Sequence, residues 1–154
     1  MSLVEKRIKQ ILIEKKIPFE ESEHEAVYTC EEAAKVRGLG SAKEGIKSMI
    51  FGTDLGKFIL VLNPGDKKID TKTIAKLENV NKLFLATPEK VEKIAGVSIG
   101  CVAPFGLKTK MKTYLNEELL DCEFLYFNPG SHTKTIKIRG SDLSKVLEYP
   151  IRFR

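Results

Sequence analysis

Residues 58–62 read Phe-Ile-Leu-Val-Leu, apolar at every position. A strand with one wet face alternates apolar and polar side chains, so a strand apolar throughout needs cover on both faces. Asn63-Pro64-Gly65-Asp66 breaks the run on one side. Asp54-Leu55-Gly56 is a turn signal on the other, and Ile46-Lys47-Ser48-Met49-Ile50-Phe51 before it reads as a second strand. The apolar run is therefore expected at the centre of a sheet that is covered on two sides.

The rest of the chain mixes helices with strands. Val4, Ile8, Ile11 and Leu12 share one face of a helix over residues 2–16. Ile17-Pro18 ends it, because the residue before proline is pushed out of the α region. A short strand over Phe19 to Ser22 follows. Thr29-Cys30-Glu31-Glu32 is a capping box that opens a helix through Arg37, stopping at Gly38. A helix over Thr71–Leu77 leads to a strand over Lys82–Ala86. Thr87-Pro88-Glu89 then starts another helix with a hydroxyl cap and proline at its first position, and Gly96 closes it. The last third predicts strands over Lys110–Leu115, Cys122–Phe127 and Thr133–Arg139, with Ile136 and Ile138 on one face and Thr135, Lys137 and Arg139 on the other. Ser141-Asp142 caps a final helix to Leu147. No repeat, low-complexity stretch or linker divides the 154 residues, so a single α/β (α+β) domain over 1–154 is expected.

Charge and cysteine usage narrow the function classes. Lys+Arg number 26 against 21 Asp+Glu, a net charge of +5 that favours a polyanionic partner without demanding one. Cys30, Cys101 and Cys122 cannot all pair and none lies in a CxxC, while His24 and His132 stand far apart. A disulfide scaffold and a zinc ribbon are poor readings, and neither a metal nor a cofactor is expected. No signal peptide opens the chain and no apolar run approaches the roughly 18 residues of a membrane helix, so a cytoplasmic, non-membrane protein is expected.

Three places resist a purely structural reading. Lys47 alternates with Met49 and Phe51, which puts its ammonium on an apolar strand face; a lysine snorkelling from a strand's first position is the plainer reading. Gly96-Val97-Ser98-Ile99-Gly100-Cys101-Val102-Ala103-Pro104-Phe105-Gly106 is a constrained loop whose backbone N–H groups can cradle an oxyanion, or else a Gly-rich connection. It is neither a dinucleotide fingerprint nor a P-loop. Gly130-Ser131-His132 sets an imidazole at a loop-to-strand junction, where it can shuttle a proton or simply occupy a turn. Cys101 with His132 allows a thiolate–imidazole reading, against which a buried small hydrophobe is the simpler role for Cys101.

In this order and spacing the three places resemble the YbaK/prolyl-tRNA-synthetase-associated domains, from about Val4 to Leu147. The resemblance rests on the strand Ile46–Phe51, the loop glycines Gly96, Gly100 and Gly106 with Pro104, and the late Gly130-Ser131-His132. It implies hydrolysis of misacylated tRNA, with Lys47 as the functional lysine, Gly100 as the loop glycine that meets the aminoacyl ester, and His132 matching the prolyl-tRNA-editing branch. It implies a mixed, strongly curled β-sheet, partly closed like a barrel, with flanking helices. The loop departs from many relatives in carrying Gly100-Cys101 and Ala103-Pro104, and Ser48 replaces the Asn or Thr that follows the lysine elsewhere.

Read with that resemblance, Lys47, Gly100 and His132 are the expected catalytic residues. Ser48, Cys101, Val102, Pro104, Phe105 and Gly130 are expected around the substrate, with Phe105 also open to a core role. Lys108, Lys110 and Lys112 alternate after the loop and Lys134, Lys137 and Arg139 follow His132, which offers a docking surface for tRNA phosphates. The expected substrate is a tRNA carrying Ala, Cys, Ser or Thr, Ala on the proline tRNA first, with a synthetase as a further partner. A non-catalytic aminoacyl-tRNA or nucleotide binding module and a Cys101-dependent hydrolase are the alternatives.

Overall fold

The computed structural model of the protein describes residues 2–39 and 41–154. The first helix, α1 (Leu3–Glu14), is capped by the Ser2 hydroxyl, which accepts from the Glu5 N–H, and buries Val4, Ile8 and Leu12. Strand β1 (Glu20–Glu23) is exposed, and α2 (Cys30–Val36) starts where the Thr29 hydroxyl accepts from the Glu32 N–H. Strands β2 (Ile46–Thr53) and β3 (Phe58–Pro64) pair antiparallel. They are followed by α3 (Thr71–Glu78), β4 (Leu83–Leu85) and α4 (Pro88–Ala95), the last with Thr87 as cap and Gly96 at φ 81° as terminator. Then come β5 (Lys112–Asn116), β6 (Phe124–Phe127), β7 (Lys134–Arg139), α5 (Leu143–Val146) and β8 (Ile151–Phe153).

The strands form two sheets. One has the order β4-β2-β3-β5-β8, with β5 and β8 parallel to their neighbours; the other is β1-β7-β6, all antiparallel. The expected curled and partly closed sheet is corrected here: neither sheet closes, and each ends on edge strands. Among the described residues they meet at one isolated bridge between Gly45 and Tyr126, where the Tyr126 N–H donates to the Glu44 carbonyl at 3.0 Å.

The central run behaves as its composition requires. Ile59 and Val61 pack on one face with Phe51, Ile69, Ile74 and Tyr114. Leu60 and Leu62 pack on the other, with α1, α4 and the apolar face of the small sheet, where Leu125, Phe127, Ile136 and Ile138 lie. Ile8 and Leu12 of α1 are completely buried there, each worth about 1.5–3 kcal/mol on removal from water.

Three details differ from the sequence reading. Asn63 and Pro64 lie inside β3 rather than ending it, since Pro64 takes the last position of the strand. Strand β5 begins at Lys112, so Lys108 and Lys110 are outside it and the three alternating lysines do not share a strand face. Thr135, expected on the polar face of β7, is buried because its hydroxyl is held by Arg37 and His24.

Candidate active site

A cavity of about 360 Å³ opens beside the Gly45–Tyr126 bridge. Its walls come from the start of β2, from α2 and the segment before it, and from the loop after α4, with Gly65, Leu85, Val91 and Asn128 completing them. The volume suits a small acyl group together with part of the molecule that carries it.

Lys47, Ser48, Gly100 and Val102 all line this cavity. Lys47 is held from behind. Its Nζ donates to the Lys67 carbonyl at 3.0 Å, and the same carbonyl accepts from Asn63 Nδ2 at 2.9 Å. Asn63 Oδ1 in turn accepts from Asn116 Nδ2 at 2.9 Å, and both asparagines are buried. A chain of satisfied polar groups thus runs through the central strands and ends at the lysine, with no carboxylate in it. One Lys47 N–H is committed and two remain.

Gly100 has φ +88°, and a Cβ built on it would lie 3.2 Å from His132 Cε1. Glycine is needed there both for the left-handed backbone and for the close approach of the ring. His132 backs the wall formed by Gly100 and Tyr28: its ring centroid is 4.5 Å from that of Tyr28, and Tyr28 is 66% exposed at the mouth. His132 Nδ1 lies 2.9 Å from the Val27 carbonyl, which can only accept, so Nδ1 carries the hydrogen and Nε2 keeps a lone pair when the ring is neutral. The Val27 N–H returns a bond to the His132 carbonyl at 3.0 Å, which fixes this junction.

The loop is narrower in its options than expected. The Cys101 N–H donates to the Ser98 carbonyl at 3.0 Å and is withdrawn from the expected oxyanion cradle, whereas the amides of Gly100 and Val102 have no backbone acceptor among the described residues. The Cys101 side chain is buried in the main core, and that burial raises its thiol above the ordinary value, against a weaker opposing bond to Ser98. A thiol kept protonated is a poor nucleophile.

The remaining expected residues lie elsewhere. Pro104 and Phe105 border a separate groove beside α1, and Phe105 packs edge-on against Phe127 in the core at 5.4 Å. Gly130 faces Val97 and the start of α1, since a Cβ there would meet Val97 at 3.1 Å, Ser2 at 3.5 Å and Val4 at 3.6 Å. Lys110 lines that same groove and pairs with Glu148, whereas Lys112 pairs with Glu78. Lys134 and Lys137 are tied to Glu5 and Glu20. The expected docking lysines are thus largely neutralised within the chain.

Residues that the sequence reading missed complete the wall: Tyr28, Cys30, Arg37 and Asn128. In the sequence Arg37 shows only as the end of a helix, and Asn128 only as the residue after the expected strand Cys122–Phe127. Burial pushes the Arg37 guanidinium down to about 10, still charged at neutral pH, and raises the Cys30 thiol against the opposing pull of Lys47 and Arg37. Ser48 Oγ and Asn128 Oδ1 are buried with no hydrogen-bond partner among the described residues.

The aminoacyl-tRNA editing domain family matches residues 24–146. The chain belongs to this family. It is 23% identical over 150 residues to the multifunctional Ser/Thr-tRNA deacylase ProXp-y of Escherichia coli, which covers 96% of this chain and 90% of that one. It is 26% identical over 142 residues to the prolyl-tRNA editing protein ProX of Acetoanaerobium sticklandii, covering 89% and 86%. A solved structure described as a candidate trans-editing enzyme for prolyl tRNA synthetase superposes with a TM-score of 0.81 at 26% identity, over 95% of this chain and 92% of that one. No helix among the described residues is long and apolar enough to cross a membrane.

Proposed function

We propose that this editing domain hydrolyses the ester between a small amino acid and the 3′ end of a mischarged tRNA, acting in trans, alone or beside a synthetase. The observation that carries the reading is the convergence of Lys47 and Gly100, far apart in sequence, on one cavity of acyl-group size, with the His132 ring packed behind Gly100.

An aminoacyl ester is already activated, so hydrolysis needs a placed water, stabilisation of the oxyanion and a path for the proton. Water attacks the carbonyl carbon. The amides of Gly100 and Val102 receive the oxygen as it gains charge, and removing one such donor typically costs about 10²–10³ in rate. His132 Nε2 is the acceptor that orients the water or the substrate's amino group. Lys47 holds the ribose end of the ester through its two uncommitted N–H groups, by position and charge. The C–O bond to the ribose breaks and the departing ribose oxygen takes the proton. Cys101 has no part in these steps.

Ser48 and Asn128 line the cavity, and a turn of either side chain toward it brings an oxygen that has no partner to the acyl group. A buried polar atom without a partner costs about 1–3 kcal/mol, and a substrate hydroxyl that bonds to it recovers that cost. This favours Ser or Thr over the Ala that the sequence places first, in keeping with the Ser/Thr-tRNA deacylase among the relatives.

The test is deacylation of labelled Ala-, Cys-, Ser-, Thr- and Pro-tRNA by wild type, Lys47→Ala and Cys101→Ala at low salt. Turnover of a mischarged species that collapses in Lys47→Ala and survives in Cys101→Ala is the expected result. Binding of tRNA without turnover of any species would make the protein a binding module, and loss of activity with Cys101 would overturn the mechanism.

A further inference from the structure

The cavity holds a second cation that the steps above leave unused. Arg37 lines it from the C-terminal end of α2. Its Nε donates to Thr135 Oγ1 at 3.0 Å, and Thr135 Oγ1 also lies 2.7 Å from Nε2 of His24. His24 Nδ1 faces the Glu25 carbonyl at 2.8 Å, so it carries the hydrogen and Nε2 accepts from the Thr135 hydroxyl. The threonine therefore donates one way and accepts the other, and it orients the guanidinium by its inner edge. The Tyr126 ring lies 5.8 Å from the guanidinium carbon and supports one face.

What this orientation presents is a free fork. Among the described residues, neither terminal nitrogen of Arg37 has a hydrogen-bond partner and no carboxylate pairs with it. Glu31 is the one acidic residue in the cavity wall, and it is exposed. Gly45, also in the wall, leaves the space: a Cβ there would come within 3.2 Å of Arg37 Nη1. A planar, permanently charged fork with two parallel N–H pairs matches the oxygens of a phosphate. Nothing among the described residues occupies these donors, which leaves them open to a ligand in the cavity.

We propose that Arg37 is a phosphate-binding residue, receiving the phosphate of the terminal nucleotide while Lys47 holds the ester end of the same ligand. The assignment rests on the proposed function only for the identity of the ligand. It relocates phosphate recognition from the lysines paired within the chain to the cavity wall. It also makes the minimal substrate a 5′-phosphorylated aminoacyl-adenosine rather than a bare aminoacyl ester.

The experiment measures binding of adenosine, adenosine 5′-monophosphate and inorganic phosphate to wild type, Arg37→Lys and Arg37→Gln, by calorimetry at low salt. Hydrolysis of seryl esters of adenosine with and without the 5′-phosphate is measured alongside. Wild type is expected to bind the monophosphate more than about tenfold tighter than adenosine, a gap that narrows in Arg37→Lys and closes in Arg37→Gln. In wild type the 5′-phosphate is expected to lower KM for the ester far more than it changes kcat. Equal affinity of wild type for adenosine and its monophosphate would overturn the assignment, and this comparison stands even if Arg37→Gln does not fold. Retention of the phosphate preference in a folded Arg37→Gln would overturn it too. Tight binding of inorganic phosphate alone, with no gain for the monophosphate, would make this an anion site unconnected to the nucleotide and would equally refute it. Phosphate-dependent binding with no ester turnover would sink the deacylase reading and leave Arg37 in place.

Discussion

Replacing Gly100 by alanine separates backbone strain from site geometry, because the chain supplies its own control. Gly100 and Gly56 have nearly the same left-handed backbone, φ +88° and +77°. A side chain forced into that region costs roughly 1–2 kcal/mol. A Cβ at Gly56 meets nothing within 4 Å, whereas at Gly100 it lies 3.2 Å from the His132 ring. That ring is confined by Tyr28 on one side and by its bond to Val27, so it can yield only by tilting Nε2 away. Both variants should therefore lose about the same stability, lowering Tm by roughly 2–8 °C for a domain of this size. Only Gly100→Ala should lose deacylation, by about tenfold or more, as follows from misplacing a group within the site by a few tenths of an ångström to one ångström. Denaturant unfolding and single-turnover hydrolysis measure the two effects. Equal activity in the two variants would refute the link between Gly100 and the placement of His132.

Asn63→Leu keeps much of the volume but strips one donor from the Lys67 carbonyl and leaves Asn116 unmatched, so it should destabilise the fold by about 1–3 kcal/mol. It should also lower deacylation in the wild-type background and have little further effect in Lys47→Ala; additive losses in that cycle would show that Asn63 does not act through the lysine. A second test concerns pH. Burial raises the Glu78 carboxyl, but the Tyr114 hydroxyl and Lys112 outweigh it and hold the group below the ordinary carboxylate value. A depressed carboxylate stabilises the fold above its unfolded pKa and loses that contribution as pH falls through the folded value. The stability gap between wild type and Tyr114→Phe should thus be widest near neutrality and shrink below about pH 4. A gap that does not change with pH would contradict this role for Glu78.

The apolar run at 58–62 placed the central strand correctly because burial on two faces leaves an unmistakable composition. Caps at Thr29 and Thr87 and the stop at Gly96 were equally readable, since each depends on contacts within a few residues. Strand β8 was not, because three residues are too few to show a period. The division into two sheets was also hidden, as pairing between distant strands has no local signal. Within the site, Lys47, Gly100 and His132 stood out through strand alternation, glycine spacing and the resemblance they carry together. Arg37 and Asn128 did not, because their roles depend on which distant groups fail to reach them: an arginine becomes distinctive only once its fork is seen to lack an acid. The pairing of Lys110 and Lys112 was hidden for the converse reason, as their carboxylate partners lie 34 to 38 residues away.

The single bridge at Gly45 and Tyr126 bears on how such a site changes over evolutionary time. Within a ladder, strand spacing is fixed by hydrogen bonds at about 4.8 Å and cannot be tuned by side chains. Across the seam between two ladders the separation follows the side chains that fill it. The cavity borders that seam, so exchanges at Tyr28, Ser48 or Asn128 can widen or narrow it while every ladder bond on either side survives. One scaffold can then be retuned from one acyl group to another by few substitutions, each selected for fit without first threatening the fold.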